Sequence, residues 1–335
     1  MITFGPVPSR RLGHSLGINN IPPKACSYSC VYCQLGPTAQ QSLEPRGFYP
    51  PEQIRDAVAE RLAAARRAGQ SVDYLTFVPD GEPTLDLNLG KAIELLRPLG
   101  VRIAVISNAS LLWRPEVRER ISAADWVSVK VDAVDEAVWR RINRPHPELQ
   151  LDRILHGIEQ LAREYRGELV SETMLVEGLN DGEAAVRAVA AFLAGLAPAA
   201  AYLAVPTRPP AEASVRPPGA TGFNRAFQIF SAAIPRVECL IGYEGNAFAA
   251  TGDVVADLLS ITAVHPMRED GVGALLARAG ETWAVVEGLV NDGLLKETEY
   301  AGRRFYLRSF PAPVDEATPR AGLPRTDPGR SIDPV

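Results

Sequence analysis

"KACSYSCVYCQLG", residues 24–36, gathers Cys26, Cys30 and Cys33 into one short loop and leaves the fourth cysteine, Cys239, far downstream. The spacing is Cys-x3-Cys-x2-Cys, with the aromatic Tyr32 directly before the last thiol. The loop follows "LGHSLGIN" (12–19), the first of six β-like runs; the others are "VDYLTFVP" (72–79), "VRIAVISN" (101–108), "WVSVKVD" (126–132), "ELVSETMLV" (168–176) and "AAYLAVP" (200–206). Amphipathic stretches lie between them. In 51–68, Ile54, Val58, Leu62 and Ala65 share a helical face, with Pro51 suited to the first turn and Gly69 to the exit. In 183–195, Val186, Val189 and Leu193 do the same, with Asn180 and Asp181 as candidate caps. This α/β alternation predicts a parallel sheet with right-handed crossovers. Six units are too few for a closed eight-stranded barrel, so an open or partial barrel is expected, with ligands at the C-terminal ends of its strands. The cysteine loop follows such an end.

The rest of the composition narrows the class. The chain has 335 residues, 46% hydrophobic and 22% charged, as in an ordinary globular protein. No run of about 18 apolar residues predicts a membrane span. "MITFGPVPSRRLG" lacks the apolar core of a signal peptide, so a cytoplasmic location is expected. Cysteines grouped three and one do not make an even disulfide framework. Net charge is −5, so any grip on nucleic acid must come from a local patch. Arginine dominates the basic residues, with lysine only at Lys24, Lys91, Lys130 and Lys296. Each lysine therefore invites a question.

After Arg236 the pattern changes. "RVECLIGYEGNAFAATGD" reads as a strand and a glycine-bearing loop, followed by helical patterns at 253–260, 268–279 and 281–292. A hairpin, "LLKETEYAGRRFYLRSF", turns at Ala301 and Gly302. That order predicts a small C-terminal winged-helix-like domain over 236–310, after a barrel over 1–235 and before a disordered tail over 311–335. Its second helix carries Glu281, Glu287 and Asp292 and no basic residue, so no strong DNA binding is expected. Docking or substrate presentation suits it better.

Three thiolates on one loop can hold a cubane iron–sulfur cluster, one iron each, leaving the fourth iron open for chemistry. A structural zinc site completed by His14, His146, His156, His265 or Cys239 is the alternative, although the second Cys-x2-Cys knuckle of a zinc ribbon is missing. Three unrelated buried thiols would leave the clustering unexplained.

Cys26, Cys30, Cys33 and Tyr32 resemble the CxxxCxΦC signature of radical S-adenosylmethionine (SAM) enzymes. "FVPDGEPTLD" is similar to that family's GGEP motif, with Asp80 in place of the first glycine, followed by Gly81, Glu82 and Pro83. "GPVPSRRLGHSLGIN", "NASLL" and "VPTRPPAE" resemble a subgroup related to wyosine base synthase, a tRNA-modifying enzyme. The resemblance covers residues 1 to about 250. It implies a partial (βα)6 radical SAM barrel, a 4Fe-4S cluster on the three cysteines, and SAM as second cofactor. It also implies a reducing partner such as flavodoxin or ferredoxin, and a 5′-deoxyadenosyl radical that takes a hydrogen atom from substrate. Tyr32 is then expected near the adenine, and Glu82 with the Gly81 backbone at the methionyl ammonium. A nucleoside in RNA is the leading substrate class. The related enzyme's second cluster has no counterpart, because Cys239 is the one thiol left over and is expected to be a buried strand cysteine.

Further lining residues follow from strand alternation. Ser128, Lys130 and Asp132 share one face against Val127, Val129 and Val131, and the polar set is expected to point inward. Lys130 could meet the SAM carboxylate, the ribose or a carbonyl substrate, or simply pair with Asp132. Ser107 and Asn108 would touch the ribose or cap the next helix. Ser171 and Thr173 share a face that could line the cavity. Thr207 and Arg208 are candidate anion contacts; Arg10 and Arg11 could likewise meet a phosphate or carboxylate, although a surface position is favoured for them. The competing reading is a non-catalytic iron–sulfur redox sensor that reports through the C-terminal module.

Overall fold

The computed structural model describes residues 2–242, 248 and 253–309. Six strand–helix units run in sequence: β2 (Gly13–Ile18) to α1 (Pro51–Arg67), β3 (Tyr74–Phe77) to α2 (Leu89–Leu96), and β4 (Arg102–Ser107) to α3 (Pro115–Ile121). They continue with β5 (Trp126–Lys130) to α4 (Glu136–Asn143) and α5 (Leu151–Glu164), β6 (Glu168–Met174) to α6 (Glu183–Leu196), and β7 (Ala200–Ala204) to α7 (Ala220–Ala233). Neighbouring strands from β2 to β7 pair in parallel, in sequence order, as a curled half-barrel.

Two strands extend this sheet. β1 (Thr3–Ser9) pairs antiparallel with β2 at one edge, and β8 (Val237–Leu240) adds a parallel strand beside β7. The expected boundary at 235/236 therefore falls one strand early, because 237–240 completes the barrel sheet. Cys239 lies on that strand, as expected, but is half-buried where a buried thiol was expected.

The sheet's two faces follow the alternation. Val127 and Val129 pack outward against the helices, together with Leu75, Phe77, Val105, Leu169 and Leu203. Helix α1 buries Ile54, Val58, Leu62 and Ala65 against them, with Pro51 at its first turn. The inner face carries Ala104, Trp126, Val170, Ala200 and Tyr202. On β6 the outward Leu169 puts Ser171 and Thr173 outward too, and Thr173 Oγ1 donates to the Val131 carbonyl at 2.8 Å. The expectation that Thr173 lines the cavity is thus corrected: the inward set on β6 is Val170, Glu172 and Met174. The predicted caps of α6 also act elsewhere. Asn180 Oδ1 accepts from Val176 N, and its amide donates to the Asp132 and Met174 carbonyls, all at 2.8 Å.

The C-terminal part holds α8 (Val254–Val264), β9 (Met267–Arg268), α9 (Glu269–Ala279), α10 (Ala284–Asn291), β10 (Leu295–Tyr300) and β11 (Arg303–Arg308), the strands forming a sheet in the order β10-β11-β9. The hairpin turns at Ala301 and Gly302, both with positive φ. Its core is continuous with β1: Phe4 and Val7 pack with Leu258, Ile261, Leu275 and Tyr306. The fully buried Asp257 pairs with Arg61 of α1 at 2.6 Å. At the other end of the half-barrel, Tyr300 OH donates to the Pro206 carbonyl at 3.2 Å. The module therefore bridges the open side of the sheet from β1 to the loop after β7. No helix among the described residues is long and apolar enough to cross a membrane. The predicted tail at 311–335 lies outside the described residues.

Candidate active site

The loop carrying Cys26, Cys30 and Cys33 leaves β2 and lies against the loop that ends β3. Lys24, in a left-handed conformation, donates its backbone N–H to the Asp80 carbonyl at 2.7 Å, and Glu82 N donates to the Ala25 carbonyl at 2.9 Å. Gly81 sits between these bonds, where a Cβ would come within 1.9 Å of the Ala25 carbonyl oxygen. The glycine is thus required by close approach of the cysteine loop's own backbone. The loop's far side is pinned to the end of α4 by Ser29 N to Asn143 O at 3.1 Å and Val31 N to Ile142 O at 3.0 Å. Inside the loop, Tyr28 meets the Trp139 ring edge-on at 6.0 Å and accepts from its indole N–H.

Each of the three thiols has a side-chain N–H donor of its own. Asn108 Nδ2 lies 3.6 Å from Cys26 Sγ, Asn143 Nδ2 lies 3.4 Å from Cys30 Sγ, and Lys24 Nζ lies 3.5 Å from Cys33 Sγ. Burial pushes the Cys30 thiol up to about 12 and holds the Cys26 thiol well above its ordinary range. Such thiols ionise on binding metal, and N–H donors then stabilise the sulfur charge. Among the described residues no three His, Cys, Asp or Glu side chains converge on a single-ion site. A cubane, by contrast, takes one iron per thiol, and three separately supported thiols fit that need.

Glu82 is fully buried. Its carboxylate accepts from Ser107 Oγ at 2.7 Å, Asn108 N at 2.7 Å, Thr84 Oγ1 at 2.6 Å and Thr84 N at 3.1 Å. Burial raises its pKa against these bonds, and no lysine or arginine among the described residues pairs with it. A rigid buried carboxylate without a cation suits an ammonium ligand. Ser107 and Asn108 thus position Glu82, and Asn108 also reaches Cys26. Pro83 opens a single 3-10 turn that Glu82 caps.

Asp80 points elsewhere. With Thr3, Asn19, Ser260 and Arg308 it lines a cavity of about 80 Å³ between the barrel and the C-terminal module. Its Oδ1 is buried without a hydrogen-bond partner, as is Asn19 Oδ1. Burial raises Asp80 to about 7 against the Lys24 and Arg308 charges.

On the inner face the polar residues of β5 and β6 join. Lys130 Nζ bonds Glu172 Oε1 at 2.6 Å and stands 5.0 Å above the Tyr32 ring. Tyr32 OH donates to Asp132 Oδ2, which also accepts from Asn143 Nδ2 at 2.7 Å. Burial acts to lower the Lys130 pKa, but Glu172 and Asp132 together hold it raised, so Lys130 stays an ammonium. Burial opposes ionisation of Glu172 as well, yet Lys130 and Arg11 bring it down to about 2. Lys130 pairs with Glu172 where Asp132 was expected. Arg11 takes the carboxylate contact and not the favoured surface position: it turns inward onto Glu172 with a side chain only 16% exposed. Ser128 is buried on the same inner strand face as Lys130.

Thr207 stays half-buried at the β7 exit, while Arg208 donates to Gln34 Oε1 at 3.0 Å and approaches His265 Nε2 at 3.0 Å. Arg208 therefore ties the residue after Cys33 to the C-terminal module. Asn143 and Glu172 were not among the residues the sequence singled out. Asn143 carries a faint signal, a polar residue at a helix end just before "RPHP".

The family model described as the Radical SAM superfamily matches residues 20–188. The UPF0026 protein MJ1312 of Methanocaldococcus jannaschii is 46% identical over 311 residues, 92% of this chain and 96% of that protein. A protein of Lacinutrix mariniflava named S-adenosylmethionine-dependent nucleotide dehydratase is 24% identical over 148 residues, 44% of this chain and 28% of that one. A radical SAM methyltransferase from Sphaerobacter thermophilus has the same fold, with a TM-score of 0.51 at 18% identity over 68% of this chain and 67% of that one.

Proposed function

The chain belongs to the Radical SAM superfamily, and from that premise we propose that it abstracts a hydrogen atom from a nucleoside-type substrate, with a base in RNA as the leading form. Membership makes it an enzyme with a 4Fe-4S cluster and SAM as its cofactors. When bound, these supply a reductively generated 5′-deoxyadenosyl radical. The observation that carries the reading is the interlock of the two motifs: the cysteine loop and the Asp80–Pro83 loop share backbone bonds, with Gly81 pressed on Ala25.

The chain's own residues bind, orient and exclude water. Cys26, Cys30 and Cys33 hold the cluster, and Asn108, Asn143 and Lys24 donate to their sulfurs. Glu82 offers a fixed anion to the SAM ammonium. Tyr32, Ser128, Lys130 and Asp132 line the inner face for the rest of SAM and for substrate, with Lys130 anchored through Glu172 to Arg11. The C-terminal module covers the open side and keeps water from the radical. Two observations support the substrate class: the nucleotide-modifying relative, and the stretches resembling wyosine base synthase. The order α9, α10, hairpin supports a winged-helix-like module, and α10, with Glu287 and no basic residue, suits docking better than a grip on nucleic acid.

The test is anaerobic incubation of cluster-loaded protein with SAM and dithionite. Methionine and 5′-deoxyadenosine should form, and should disappear in Cys30→Ala. Deuterium from labelled tRNA or nucleotide pools, appearing in the 5′-deoxyadenosine, would identify the hydrogen donor. A stable cluster that neither binds nor cleaves SAM would favour the sensor.

A further inference from the structure

We propose that the cleft between the cysteine loop and the C-terminal hairpin is the docking face for an acidic one-electron donor protein. The proposal rests on the cluster of the preceding reading and not on its substrate. The cleft encloses about 240 Å³. One wall is Gln34–Gly36, directly after Cys33, and the other carries Lys296 of β10 and Arg308 of β11. No aspartate or glutamate lines it, although the whole chain carries a net charge of −5. On a chain of net negative charge, a cleft that carries two cations and no carboxylate favours an acidic partner at this face.

Position relative to the iron ligands supports the same assignment. Lys24 Nζ donates to the Gly36 carbonyl in the cleft wall at 2.5 Å and reaches Cys33 Sγ at 3.5 Å. One ammonium thus joins the wall that a donor would touch to a sulfur that would hold iron. Lys24 and Lys296 are two of only four lysines in an arginine-rich chain. RNA fits the cleft less well. Its lining includes Leu35, Pro209 and Pro210 and no aromatic ring on which a base could stack. In the redox event the donor loses one electron and the cluster gains it, and no covalent bond forms or breaks.

The experiment uses full-length, cluster-loaded protein and photoreduced flavodoxin, following cluster bleaching by stopped flow across a range of salt. Lys296 is exposed, so Lys296→Glu should leave folding and cluster content intact. At low salt it should slow flavodoxin-driven reduction about tenfold, and the difference should close as salt rises. Reduction by dithionite should match the parent protein. Thr298→Asp, which puts a negative charge into the same cleft from β10, should act in the same direction. Unchanged flavodoxin rates and salt dependence in both variants would overturn the docking face. So would tRNA binding that is lost in Lys296→Glu while flavodoxin reduction is untouched. Because SAM is absent from this assay, failure of SAM cleavage would sink the enzymatic reading without altering this result.

Discussion

Asn143 Nδ2 lies 3.4 Å from Cys30 Sγ, although the two residues belong to different βα units. The same amide reaches Asp132 Oδ2 at 2.7 Å, so one side chain links a predicted iron ligand to the inner wall of the barrel. An N–H donor to a ligating sulfur stabilises the more negative, reduced cluster.

Removing that donor should therefore make the cluster harder to reduce. Asn143→Asp also places a second carboxylate beside Asp132. We predict a fall in midpoint potential on the order of 60 mV, the one-electron equivalent of about 1.4 kcal/mol. An EPR-monitored redox titration checks it, and an unchanged potential would show that the contact is only structural.

Gly81→Ala should be among the most damaging single changes. Its Cβ would lie 1.9 Å from the Ala25 carbonyl oxygen, and backbone on both sides would have to separate. A loss of about 3 kcal/mol in stability is expected, together with poor cluster retention. Denaturant unfolding and iron content per chain measure both.

Glu82→Gln separates SAM binding from cluster binding. The carboxylate faces four donors and no cation within the described chain, so its charge is available to an ammonium ligand. Neutralising it should weaken SAM binding by about 100-fold or more, as for a buried ion pair that loses one partner, while iron and sulfide stay near the parent level. Equal SAM affinity in the variant would mean that Glu82 does not hold the ammonium.

Asp80 predicts a pH dependence of stability. Its folded pKa is raised to about 7, mainly by burial. Between the ordinary aspartate range and pH 7 the native state therefore holds a proton that the unfolded chain has released. The associated stability is fully present below the unfolded pKa and is lost as pH rises through about 7. Asp80→Asn removes this dependence. It should gain on the parent by up to about 4 kcal/mol from pH 4 to 8. Parallel melting curves across that range test it, and a difference that does not change with pH would contradict the assignment.

Much of this architecture is legible in the sequence, because period and spacing carry it. Ile54, Val58, Leu62 and Ala65 mark one helical face, and six apolar runs alternate with such helices. The three thiols need no fold to be noticed, and "DGEP" at a strand end shows where their partner loop lies. Alternation alone, however, does not say which face of a strand turns inward. Polar Ser128 and Lys130 do face in, but the same logic chose Ser171 and Thr173 on β6, where the charged inward residue is Glu172. β1 was hidden because "TFGPVPS" contains two prolines and no clear alternation, and an edge strand tolerates both. A carboxylate contact was open to Arg11, but its partner Glu172 is too distant in sequence to be named. Asn143 meets Cys30 only through the tertiary crossing of α4 with the cysteine loop.

The proposed arrangement, with three cysteines leaving one iron open to SAM beside Glu82, can be read in the EPR spectrum of anaerobically reconstituted, dithionite-reduced protein with and without SAM. A reduced 4Fe-4S signal is expected, and its shape should change when SAM is added. A strong cluster signal indifferent to SAM, or protein that carries zinc and no sulfide, would contradict it.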